Sequence, residues 1–117
     1  MSDSYEMTIY VRLEPSDNAK AVVHAIKHEW NVDEEWVDRD RHENTITVGC
    51  MGEDRLFGTE SEEEFAERVA KAIWRAVGGF RTVEVDAVFL DEPPPTRRYT
   101  VDKNVFMKEH PSLPVPA

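Results

Sequence analysis

At 117 residues the chain has room for one hydrophobic core and not for two. Its formal charge of -10, from 14 basic against 24 acidic residues, is spread along the whole length, which disfavours nucleic acid and anionic membrane as partners. No stretch approaches the roughly 20 consecutive apolar residues of a spanning helix, "MSDSYEMT" lacks the parts of a secretory signal, and the single Cys50 has no internal disulfide partner, so a cytoplasmic, reducing location is expected.

Residues 6–14, "EMTIYVRLE", alternate Met7, Ile9, Val11 and Leu13 with Thr8, Tyr10, Arg12 and Glu14, the period of a strand with one buried face. "PSDN" then offers Ser16 or Asp17 as a helix N-cap, and Ala19, Val22, Val23, Ile26 and Trp30 recur at helical spacing until Asn31, predicting a helix from about Asp17 to Trp30. Residues 34–41 and the run through Ile46, Val48 and Cys50 read as a hairpin turning at His42, Glu43 and Asn44. A two- or four-residue turn points Val37 toward the core and leaves Trp36, Asp38 and Asp40 outward, whereas a three-residue turn reverses them; the first arrangement is preferred. "GEDRLFGTE" reads as a loop.

Ser61 followed by Glu64 is a capping box, opening a second helix whose stripe is Phe65, Ala66, Val69, Ile73, Ala76 and Val77 and which ends at Gly78 and Gly79. Residues 82–90 alternate again, with Val83, Val85, Ala87 and Phe89 on one face. The order βαββαβ predicts an α+β ferredoxin-like sandwich over residues 1–91: a four-stranded antiparallel sheet, strand order 4-1-3-2, with two helices on one face. Residues 92–117 carry the "PPP" at 93–95 and read as an extended Pro-rich C-terminal tail. Within it, "RRYTV" is strand-like, able to return along the sheet or to pair with a neighbouring subunit, while "VFM" suits insertion into an apolar groove.

Chemistry-bearing motifs are sparse. His24 and His28 stand four apart, but they fall roughly 140° and 180° from the apolar stripe, facing solvent without a third or fourth ligand. "DRD" at 38–40 alternates charge in the manner of a guarded edge strand, and "ESEEEFAE" places carboxylates where a helix dipole favours them. Cys50 lies among apolar neighbours, and no GxSxG, GxxxxGK or GxGxxG is present. No catalytic residue, metal ligand or cofactor is therefore assigned.

The βαββαβ order resembles that of RNA-recognition modules, whose central strands carry aromatic platforms. Here Tyr10 stands alone at such a position, and Thr45, Thr47, Gly49 and Met51 occupy the open face of the third strand, so the likeness is one of topology. Strand order also resembles that of acylphosphatases, but "LEPSDN" replaces their glycine-rich, arginine-bearing phosphate loop, and that activity is not implied.

With both helices on one side, Tyr10, Met51, Val88, Leu90 and Trp36 leave the other face too apolar to stand bare. Trp74, about 120° from the second helix's stripe, is expected to be at least partly exposed. The expectation is a non-enzymatic interaction or assembly module that binds a protein partner or itself through Tyr10, Trp36, Met51, Trp74, Leu90, Tyr99 and Phe106. The alternatives are an acidic nucleic-acid mimic of the phage-antagonist type and a small-molecule- or metal-dependent enzyme.

Overall fold

The computed structural model describes residues 4–91 and 96–109. The elements are β1 (Ser4–Leu13), α1 (Ala19–Glu29), β2 (Glu34–Asp40), β3 (Thr45–Arg55), α2 (Glu62–Val77), β4 (Val83–Phe89), β5 (Arg97–Val101) and α3 (Lys103–Glu109). They build one antiparallel sheet of order β2-β3-β1-β4-β5. The fold is thus α+β with element order βαββαββα. The expected four-strand order 4-1-3-2 is extended by a fifth strand at the β4 edge, which corrects the plain ferredoxin-like sandwich with an extended tail. The proline triplet and residues 110–117 lie outside the described residues.

The alternation in β1 works as expected: Met7, Ile9, Val11 and Leu13 are all buried. They meet Ile46, Val48 and Cys50 on one side and Val83, Val85 and Ala87 on the other, under Val22, Ile26, Phe65, Val69 and Ile73 of the helices. α2 is capped as predicted: Ser61 Oγ accepts from the Glu64 N–H, the Glu64 carboxylate accepts from the Ser61 N–H, and Gly78 closes the helix in the left-handed region.

Other boundaries moved for identifiable reasons. Asn18, not Ser16 or Asp17, caps α1, its Oδ1 accepting from the Ala21 N–H at 3.2 Å. The Asp17 carboxylate is instead held by the Arg81 guanidinium at 2.7 and 2.9 Å, a partnership that holds its pKa below the usual value despite partial burial. β3 runs on to Arg55, taking the first four residues of the stretch read as a loop, because Ser4–Met7 pair beside it, while residues 56–60 do form the loop. The hairpin turns through residues 41–44, with Asp40 opposite Thr45; Val37 therefore shares the helix side with Val48. It remains 44% exposed, because β2 is the outermost strand and overhangs α1. Ala76, placed on the stripe by spacing, is exposed.

The largest correction concerns Trp74 and the C-terminal segment. Trp74 is buried, its Nε1–H donating to the Arg81 carbonyl at 2.9 Å. Its flank is covered by Phe106 of α3 and by Phe80, with ring centroids at 5.2 and 5.7 Å. "RRYTV" returns internally, Val101 lying opposite Val83 and Tyr99 opposite Val85. Asp102 Oδ1 accepts from the Asn104 N–H and so starts α3.

A second clasp ties β5 to α2. Glu62, the first residue of α2, is buried, and its carboxylate accepts from Arg97 Nε at 2.8 Å, from Arg97 Nη2 and from the Tyr99 hydroxyl at 2.8 Å. Burial alone would raise its pKa, but these donors outweigh it and hold the carboxyl below the usual 4.5. A depressed carboxylate contributes stability that is present above its unfolded pKa and lost as pH falls through the folded value. Glu62→Gln should therefore lower the urea midpoint at neutral pH, and the gap to wild type should close on acidification below about pH 4.3. A gap that stays constant across that range would show that the charge of Glu62 is not what holds β5.

Candidate functional site

The sheet's second face carries no helix among the described residues. Pairing registers put Trp36, Gly49, Tyr10, Glu84 and Thr100 in one row across it, with Glu34, Met51, Thr8, Asp86 and Arg98 in the next. Its centre is aromatic: the Tyr10 and Trp36 rings meet edge to face at 6.2 Å. What allows this is Gly49 between them. The Trp36 indole lies over Gly49, where the Cβ of any other residue would run into the ring. The indole is thereby laid along the sheet as a half-buried plate.

Arg98, on β5, closes the other side. Its guanidinium sits 5.7 Å from the Tyr10 ring centroid and is bound by Asp86 at 2.6 and 2.8 Å and by Glu84 at 3.4 Å. Tyr10, Arg12, Thr47, Thr82, Glu84 and Arg98 surround a depression of about 310 Å³. The border of the face is acidic: by register it carries Glu6, Glu34, Asp38, Asp40, Glu53, Glu84 and Asp86 against Arg12, Arg55 and Arg98, and Arg98 is already spent on Asp86 and Glu84. This is an apolar centre in an acidic ring.

Of the sequence-predicted residues, the structure brings together Tyr10, Trp36 and Met51 on this face. Leu90 follows the end of β4, half-buried, with its N–H donating to the Ser4 carbonyl at 2.9 Å. Trp74 and Phe106 are core residues, and Tyr99 faces α2 through its hydroxyl, so these three do not join the face. Arg98 and Gly49 also belong to it; alternation places Gly49 on this face but gives it no role, and Arg98 is not assigned to it from sequence. A glycine in mid-strand was the visible signal for the second; for Arg98 none existed without the β4–β5 register.

His24 and His28 lie exposed on α1, the latter with Nδ1 3.1 Å from Glu29 Oε2. No three His, Cys, Asp or Glu side chains converge on a metal-sized space among the described residues. Burial, with Glu35 adding to it, pushes the Cys50 thiol up to about 11, leaving it protonated at neutral pH, where it packs as a core residue. No helix of the described residues is long and apolar enough to cross a membrane. Comparison with protein-family models, with curated proteins and with solved structures finds no match for this chain.

Proposed function

We propose that this protein is a non-enzymatic interaction module whose open sheet face docks on a protein partner offering an apolar or aromatic anchor ringed by basic side chains. The observation that carries the reading is the Tyr10–Trp36 plate laid over Gly49 at the centre of a helix-free face. Aromatic side chains on a rigid sheet bring large contact area at low entropy cost, and the surrounding carboxylates select a partner of opposite charge. Trp74, Tyr99 and Phe106 have no part in this docking, since their contacts are internal.

The acidic ring also favours a second reading, a mimic that occupies the basic groove of a nucleic-acid-binding protein. The two differ in what holds the complex. Affinity capture with the wild-type chain and with Trp36→Ala, at low and moderate salt, separates them. An anchored interface should lose its partner on Trp36→Ala, by about 2 kcal/mol or more of binding, and tolerate salt. Mimicry should tolerate Trp36→Ala and fail with salt. Retention of the partner by Trp36→Ala in moderate salt would sink both readings.

A further inference from the structure

β2 is one of the two outer strands of the sheet, so among the described residues one edge of its backbone carries no strand. Behind that edge, α1 and the overhanging β2 leave a groove of about 570 Å³, with Ala19, Val23 and the half-exposed Val37 as its apolar floor. Its walls carry Lys20 and Lys27 beside His24 and Glu35, so two lysines stand together in a chain of charge -10. Lys27 is paired with Glu35 at 3.2 Å. Among the described residues, neither Lys20 nor Arg39, the next β2 residue on that side, has an ion-pair partner.

We infer that β2 joins two copies of this chain, antiparallel about Val37, so that Glu35 of each copy meets Arg39 of the other. Val37 is the middle residue of the seven-residue strand Glu34–Asp40. A two-fold axis there pairs the whole edge with itself: Val37 with Val37, Glu35 with Arg39 twice, Trp36 with Asp38, and Glu34 with Asp40. The two grooves then merge into one apolar seam between the two α1 helices, and Glu35 of the second copy approaches Arg39 and Lys20. Neighbouring registers with the same faces do worse. Centred on Trp36, only residues 34–38 overlap and Glu35 faces Val37; centred on Asp38, only 36–40 overlap, Asp38 faces itself and Arg39 faces Val37. The alternating charges of "DRD" thus discourage pairing in general and admit this register.

Glu34 opposite Asp40 is the unfavourable pair. It sits at the strand ends, where both side chains are exposed and salt screens them. The same screening reduces repulsion between two acidic chains, so association should strengthen from very low to moderate salt.

Sedimentation equilibrium tests the register directly. The wild type should show a species of twice the 13.5 kDa chain mass. Glu35→Arg alone sets Arg against Arg at both pairs, Arg39→Glu alone sets Glu against Glu, and each should weaken the dimer by about tenfold or more. Mixing the two variants in equal amounts restores an opposite-charge pair at both positions, so the heterodimer should recover the wild-type affinity. Recovery also shows that both variants are folded, and circular dichroism of each alone provides the same control. A wild type that is monomeric up to its solubility limit, as it would be if the edge took only a foreign strand, overturns the inference. So does a dimer indifferent to both substitutions, or folded variants that fail to pair on mixing.

Discussion

Phe106→Ala is expected to destabilise the protein by about 3 kcal/mol, at the lower end of what buried Phe-to-Ala changes cost. Phe106 is 4% exposed, and its ring packs edge-on against Trp74 at 5.2 Å and Phe80 at 5.8 Å. Removing it takes away the transfer free energy of the ring and leaves the flank of Trp74 open. Because α3 is short, part of the cost is felt as local opening of α3 and β5, so a red shift of Trp74 emission should precede global unfolding in a urea titration. An unchanged urea midpoint together with unchanged emission would mean that the segment after the prolines adds nothing to the core.

Gly52→Ala should cost about 1–3 kcal/mol or more by overpacking, with no new polar group involved. Gly52 lies in β3 directly beneath the backbone that leaves α1. A Cβ there would run into the Asn31 carbonyl and the Val32 Cα, and these are backbone atoms that cannot rotate aside. The Gly52 carbonyl also accepts from Trp30 Nε1–H at 2.8 Å, and Trp30 packs at a tilt against Phe65 at 4.7 Å in the core. A shift of the α1–β2 connection therefore disturbs the seat of a buried tryptophan. Gly79→Ala is the control: a Cβ there meets only Arg81 Nη1 at 3.5 Å, an ordinary contact with a flexible side chain. Equal urea midpoints for Gly52→Ala and wild type would show that the connection is not packed as described.

The parts of the fold written in local periodicity were legible. β1 and β4 alternate cleanly, and the Ser61–Glu64 pair with Gly78 marks both ends of α2. What escaped was set by partners distant in the chain. Trp74 falls off the stripe that Phe65, Val69 and Ile73 define, and it is buried by Phe106, 32 residues later and beyond a proline run. Glu62 reads as one of three acids answering a helix dipole, and nothing nearby in sequence announces Arg97 and Tyr99. Asp17 looks like a cap until Arg81 claims its carboxylate.

The candidate site was legible to the same extent. Tyr10, Trp36 and Met51 were placed on the open face by alternation, but their grouping depends on the length of the hairpin turn. With residues 41–44 in the turn, Trp36 falls opposite Gly49, the one position in the row without a side chain to lift the indole off the sheet. A turn one residue shorter would have sent Trp36 to the helix side and left Tyr10 alone. Arg98 reached the face only because β5 added to β4, which no local pattern foretold.

Hydroxyl-radical footprinting of the protein with its captured partner, read residue by residue by mass spectrometry, tests the open-face reading most directly. Phe57, 67% exposed in the loop before α2, and Met107, 40% exposed on α3, serve as reporters away from that face. Docking on the open sheet predicts that Tyr10, Trp36 and Met51 become protected while Phe57 and Met107 label as in the free protein. Protection of Phe57 or Met107 with Tyr10 and Trp36 unchanged would contradict it.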